Sequence, residues 1–184
     1  TTASQPFTSA LVMSNVKWFR YEWVWEKNIG TRFLDAKRKP LLFHENIIVF
    51  SVNGHTYNPQ MITVKPRYVT RSGKADQYND YIPVNSHNGG KNYPRTIVRM
   101  ARELGTGHPT QKPVALYEYL IRTYTNEGEL VLDMCAGSGT TGVAAINTGR
   151  RVICIEQRED YADIARARIA KAAEQARQLE LPIE

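Results

Sequence analysis

Residues 129–145 read ELVLDMCAGSGTTGVAA: an apolar run, an acid, a glycine turn, then small helix formers. A strand that ends in a glycine turn and passes into a helix brings backbone close to a nucleotide. GSGTTG, from Gly137 to Gly142, has the spacing G-x-G-x-x-G, and Glu156 follows Gly137 by nineteen residues at the end of the next apolar run. That pattern fits a dinucleotide. Asp133 argues for a different ligand. It stands four residues before Gly137, where dinucleotide folds carry apolar strand residues. An acid there suits a cationic group, such as the α-amino group of a methionine moiety. Glycines let the backbone approach. The free N–H groups of the helix start hold a carboxylate as readily as a phosphate. Glu156 can accept both hydroxyls of a ribose. These demands describe S-adenosyl-L-methionine, with a dinucleotide and a purely structural βαβ turn as the other readings.

A second stretch, HPTQKP at 108–113, reads alone as a proline-rich helix start. Twenty residues before a nucleoside-binding strand, it becomes a candidate wall of the same site.

The elements that must position these residues follow from periodicity. Pro113 suits a first helical position, and Leu116, Tyr117, Leu120, Ile121 and Tyr124 recur at helical spacing up to Gly128. ELVLD is a strand, TTGVAAINTG a helix, RVICIE a second strand and EDYADIARARIAKAAEQARQL a long helix. The last helix carries Tyr161, Ile164, Ala165, Arg168 and Ile169 on one stripe. Strand–helix–strand–helix predicts a parallel α/β unit with a right-handed crossover. Upstream, residues 5–15 predict a short helix. In WFRYEWVWEKN, at 18–28, Phe19, Tyr21, Trp23 and Trp25 alternate with Arg20, Glu22, Val24 and Glu26, which predicts a strand with an aromatic face. That face is read as core rather than as a base-stacking platform. Residues 28–40 read as a basic loop, whose KRK at 37–39 is either solvated or a phosphate contact. ENIIVFSV, at 45–52, is a second strand, and His44 and Glu45 read as a strand-start hydrogen bond rather than as the mark of a site. Residues 53–107 lose all periodicity, and only YPRTIVRMARE there holds a candidate short element. A stretch of this kind is usually functional.

Composition bounds the answer. The 184 residues allow one domain with a modest insert, and the net charge is +6. Residues 53–107 hold eight basic residues against three acidic ones, so five of the six net charges lie there. That distribution favours an anionic partner such as nucleic acid. No run long enough to span a membrane exists. TTASQPFTSA is not read as a signal peptide, and it opens in mid-pattern without Met. Cys135 and Cys154 are expected as buried free thiols in a reducing cytoplasm. His55, His87 and His108 lack metal-like spacing with Cys, so no metal is expected.

The string HPTQKPVALYEYLI, VLDMCAGSGTTGVAA, VICIEQREDYADIARARI resembles the C-terminal half of the DNA amino-methyltransferases of the permuted β group, which methylate adenine N6 or cytosine N4. FRYEWVWEKN and PLLFHENIIVFSV resemble two strands of the same sheet. The resemblance implies an α/β, Rossmann-like, S-adenosylmethionine-dependent methyltransferase fold, circularly permuted, with its sheet incomplete in this chain. Residues 1–52 would close the catalytic subdomain, 53–107 would form the DNA target-recognition insert, and 108–184 the cofactor subdomain. Asp133, Gly137, Gly139 and Glu156 would hold the cofactor, and Ser138, Thr140 and Thr141 would line the loop. His108, Thr110 and Lys112 would close over the methionine end. Cys135 stands where phenylalanine is common. Arg67, Arg71, Lys74, Lys91, Arg95 and Arg99 would meet double-stranded DNA. The resemblance also explains why the glycine loop comes late: in this group the catalytic half precedes it.

The family's Asp/Ser/Asn-Pro-Pro-aromatic signature is absent, because no two of the nine prolines are adjacent. An exocyclic amino nitrogen is a poor nucleophile while its lone pair is delocalised into the ring. The signature accepts its hydrogens and stacks the flipped base. By the resemblance it lies upstream of residue 1, and in the strand order 3-2-1-4-5-7-6 this chain supplies 2-1 and 7-6. A preceding segment or a second chain would complete the sheet. No catalytic residue is assigned in this chain. Site-specific methylation of adenine N6 is the expected function, with cytosine N4 second, and a non-catalytic DNA-binding remnant the rival reading. An RNA or small-molecule methyltransferase fits the basic insert less well.

Overall fold

The computed structural model describes residues 1–71, 84–103 and 111–180, the side chains of 69–71, 84–86 and 180 excepted. Two compact units emerge, Thr1–Asn58 with Thr96–Glu184, and Pro59–Arg95. The second is narrower than the 53–107 insert expected from sequence.

The first unit begins with strand β1 (Thr2–Ala3), helix α1 (Phe7–Ser14) and strands β2 (Phe19–Thr31) and β3 (Leu42–Phe50). Alternation decides β2. Trp23, Trp25 and Lys27 are all buried on one face, so the period of two carries a lysine onto the tryptophan side. β2 runs three residues past the expected end, and a 3₁₀ turn at Phe33–Asp35 interrupts the basic loop. In β3, Ile47, Ile48 and Val49 are buried on both faces, as a central strand requires.

The second unit holds β4 (Ile62–Thr63), β5 (Tyr68–Arg71), β6 (Val84–His87) and β7 (Lys91–Asn92). β4 pairs with β7 and β5 with β6, both antiparallel. Asn88 ties the turn together: its Oδ1 accepts from the Arg67 N–H at 2.9 Å and the Gly90 N–H at 3.1 Å.

The chain then returns to the first unit with β8 (Ile97–Arg99), α2 (Val114–Tyr124), β9 (Leu130–Asp133), α3 (Thr140–Asn147), β10 (Arg151–Cys154) and α4 (Glu159–Glu180). β8 falls inside YPRTIVRMARE and lies parallel to β2, giving a mixed sheet of order β1-β3-β2-β8. β9 and β10 form a separate parallel pair in the register Leu130↔Arg151 to Asp133↔Cys154. Helix α2 serves both sheets. Leu116 joins Trp23, Trp25, Ile47, Val49 and Val98 in one core cluster, while Ile121 packs with Ala144 and Ala145 in another. Trp23 Nε1 donates to Tyr124 Oη at 2.6 Å and Trp25 Nε1 to the Met100 carbonyl at 2.9 Å, so both indoles are satisfied in the core. Among the described residues no helix is long and apolar enough to cross a membrane.

Candidate functional site

The glycine turn takes the form its residues dictate. Gly137 and Gly139 have φ of 53° and 79°, in the left-handed region that side chains disfavour. A Cβ on Gly139 would stand 2.8 Å from Ala165 Cβ and 2.9 Å from Ala165 Cα, so α4 rests directly on the loop. A Cβ on Gly142 would collide with the Ile169 side chain. These glycines let α4 approach the loop and α3.

Asp133 ends β9 and turns into the loop. Its Oδ1 accepts from the Cys135 N–H at 3.0 Å, and its Oδ2 accepts from the Thr141 hydroxyl. The carboxylate is held on one side by backbone and on the other by the first turn of α3. Glu156 holds the opposite end: Oε2 accepts from the Gly137 N–H at 2.8 Å and Oε1 from the Arg158 N–H at 3.0 Å.

A pocket of about 180 Å³ opens beside the turn, walled by Lys112, Asp133, Cys135, Gly137, Ser138, Thr140 and Thr141. A wider one of about 440 Å³ shares Asp133, Cys135 and Thr141 and adds Tyr117, Leu120, Tyr124 and Met134. Tyr117 borders both, and burial, with the Asp133 charge, pushes its phenol up to about 12. It therefore stays protonated at neutral pH.

Seven sequence-predicted cofactor residues thus meet at one pocket. Gly139 supports the loop from behind, and Glu156 bonds its first glycine. His108 and Thr110 lie outside the described residues. Cys135 is exposed rather than buried as expected, because the turn carries it to the pocket rim; Cys154 is half-buried against Gly142.

The structure adds residues that periodicity did not single out. Arg168, read from sequence as part of an apolar stripe, points its guanidinium into the loop. Nη1 donates to the Ser138 carbonyl at 2.6 Å, to Ser138 Oγ at 3.0 Å and to Gln111 Oε1 at 3.1 Å. Ser138 Oγ donates to Gln111 Oε1 at 2.7 Å, and Gln111 Nε2 donates to Glu103 at 2.8 Å. Glu103 also receives the Val114 N–H at 2.7 Å, capping α2. Burial draws the Arg168 guanidinium below its ordinary value and Glu103 draws it back, so the group stays charged. Arg168→Met should cost roughly 1–3 kcal/mol, because the buried oxygens lose their charged donor. Urea unfolding reads that loss, and an unchanged midpoint would contradict it.

The basic candidates separate into two groups. In the Pro59–Arg95 unit, Arg67, Lys91 and Arg95 are exposed, and its described residues include no acid. Tyr68 and Tyr93 are exposed there as well. The Arg71 side chain and all of Lys74 lie outside the described residues. Arg99 belongs to the first unit, on β8, and its Nε pairs with Glu26 Oε2 at 2.8 Å. Among the described residues no cluster of His, Cys, Asp and Glu could hold a metal ion.

A parallel strand–glycine turn–helix unit that follows a mixed sheet in the chain is an α/β, Rossmann-like arrangement. The solved M1.HpyAVI–SAM complex superposes with a TM-score of 0.62 at 26% identity, covering 91% of this chain and 72% of that one. The cytosine-N4-specific PvuII DNA methyltransferase gives 0.61 at 16% identity, covering 92% and 62%, a likeness of fold. A family model described as DNA methylase, of the N6/N4 type, matches residues 4–167, and the chain belongs to that family. Type II methyltransferase M2.DpnII of Streptococcus pneumoniae is 39% identical over 100 residues, 52% of this chain and 37% of the relative. DNA adenine methyltransferase YhdJ of Escherichia coli is 34% identical over 131 residues, 69% and 44%. The chain spans less than half the length of these curated relatives.

Proposed function

We propose that this chain carries the cofactor site and the DNA-recognition unit of an S-adenosylmethionine-dependent DNA methyltransferase. Its target is an exocyclic amino group, adenine N6 first and cytosine N4 second. The observation that carries the cofactor reading is one pocket that Asp133 walls together with the glycine turn and the first residues of α3. An acid beside the N–H groups of a helix start suits a zwitterionic amino acid end. A pyrophosphate would meet Asp133 as a like charge. Asp133 accepts the ammonium, the loop N–H groups take the carboxylate, and the neutral Tyr117 phenol donates without adding charge. Bound there, the cofactor supplies an electrophilic sulfonium methyl. The relatives described as adenine and type II methyltransferases support the adenine target and a restriction-modification setting.

The groups that would accept the amino hydrogens are a proline-pair signature that this chain lacks. β9 is hydrogen-bonded only to β10 among the described strands, and Leu130, Leu132, Met134, Ile153 and Ile155 of this ribbon stay about half exposed or more. An open edge and an apolar face of that kind call for cover. Further strands, from more of the polypeptide or from a second chain, pair with β9 and bring the signature to the 440 Å³ pocket beside Asp133.

The test is methyl transfer from labelled cofactor to duplex DNA by the protein as its gene encodes it, followed by nucleoside digestion and chromatography. N6-methyladenine is expected. Labelled 5-methylcytosine would overturn the reading, since ring-carbon methylation needs a cysteine nucleophile in a motif absent here.

Recognition of DNA is assigned to the exposed cations of Pro59–Arg95. Reversing Arg67 and Arg95 to Glu should weaken duplex binding and lower the slope of log affinity against log salt by about one per lost phosphate contact. Some of these arginines read guanine in the major groove instead, and their loss changes sequence choice. A salt slope unmoved by both reversals would remove this unit from the DNA interface.

A further inference from the structure

Lys27 is 4% exposed, at the buried end of the tryptophan face of β2. Its Nζ lies 3.4 Å from Glu45 Oε1, and Lys112 Nζ lies 2.8 Å from Glu45 Oε2. Both ammonium groups stand 5.9 Å from the centroid of the Trp25 ring. With Arg102 they wall a pocket of about 140 Å³ that also touches Gln111. Among the described residues, three cations and one carboxylate line this pocket. Glu103, the acid on the other side of Gln111, is engaged by Gln111 and the start of α2. Burial lowers the Lys27 ammonium below its ordinary value; Glu45 opposes this, and Arg102 and Lys112 add to it. Lys27 is buried and Arg102 and Lys112 are half-buried, so a surplus of positive charge here is costly unless an anion joins it.

We infer that this pocket is a phosphate subsite that holds one phosphodiester of the DNA substrate beside the cofactor; the inference rests on the DNA methyltransferase reading. The volume amounts to a few waters at roughly 30 Å³ each, enough for an oxyanion and too little for a nucleobase with its sugar. The donors match. Lys27 has three N–H groups and directs one toward Glu45, and Arg102 offers a guanidinium fork. Lys112 and Gln111 wall both this pocket and the cofactor pocket, so a phosphate held here lies beside the amino acid end of the cofactor. Such a contact sets the register of the strand without reading its sequence. Lys27 and Arg102 do not wall the cofactor pocket, which separates this anion from the cofactor's carboxylate.

Lys27→Met and Arg102→Gln test it in the protein as its gene encodes it. Anisotropy of a fluorescein-labelled, mixed-sequence duplex across a KCl series reads DNA binding, and calorimetry reads S-adenosylmethionine binding. Each variant is expected to weaken DNA binding about tenfold and to lower the salt slope by about one, with cofactor affinity unchanged. If Lys27→Met does not fold, Arg102→Gln decides, since Arg102 is half-buried and outside the core clusters. Normal DNA affinity and slope in a folded variant would overturn the subsite and leave the methyltransferase reading intact. Loss of cofactor affinity in place of DNA affinity would assign the pocket to the cofactor and also overturn it. A wild-type protein without salt-dependent DNA binding would overturn both.

Discussion

Asp133→Ala is expected to weaken S-adenosylmethionine binding by about 10- to 100-fold, the loss of one charge-assisted hydrogen bond at roughly 1.5–3 kcal/mol. The carboxylate has two tasks in the structure. It is the acid on the wall of the cofactor pocket, and it receives the Cys135 N–H and the Thr141 hydroxyl. Removing it takes away the partner of the cofactor's ammonium and unties the strand end from α3. Asp133→Asn keeps a hydrogen-bond acceptor and removes the charge, so it should fall between wild type and alanine. Calorimetric titration separates the three. Equal affinity in all of them would mean that the ammonium lies elsewhere and that Asp133 only braces the turn.

Gly139→Ala carries the second large effect. A Cβ at φ of 79° costs about 1–2 kcal/mol in backbone strain. It also collides with the Ala165 backbone at 2.9 Å, an overpacking cost of roughly 1–3 kcal/mol. The two are independent, so a destabilisation of about 2–5 kcal/mol is expected in denaturant unfolding. Cofactor affinity should fall with it, since α4 is displaced from the loop that it supports. Ala165→Gly in the same molecule should recover part of the packing loss and none of the backbone strain. Measured against Ala165→Gly alone, losses that simply add in the double variant would show that α4 does not bear on the glycine.

The contrast between what was legible in the sequence and what was not has a physical cause. The glycine turn, Asp133 and the flanking strands were legible because one continuous stretch encodes them. The tryptophan face was legible from alternation, yet alternation continued one step further. Lys27 shares the face of Trp23 and Trp25, and a charged residue at a core position is invisible to a rule that seeks apolar ones. Arg168 shows the same limit. Helical spacing fixed its face, while what that face meets, Ser138 and Gln111, comes from distant parts of the chain. Glu45 reads in the sequence as a strand-start hydrogen bond rather than as the mark of a site; it bridges two lysines, one of them 67 residues away in sequence. The strands of Pro59–Arg95 hold two to four residues each, too few to display a period. β8 was legible as a candidate short element, but its parallel pairing with β2 is a non-local fact that no local pattern carries.

The most direct test of the central claim is a crystal structure of the protein with S-adenosylmethionine bound. The account predicts the cofactor's ammonium at about 3 Å from the Asp133 carboxylate, within hydrogen-bond reach. Its carboxylate should lie against the N–H groups that open α3, with the sulfonium methyl facing the wider pocket bordered by Tyr117 and Tyr124. Density that places the ligand away from Asp133 and the Gly137–Gly139 turn would contradict it.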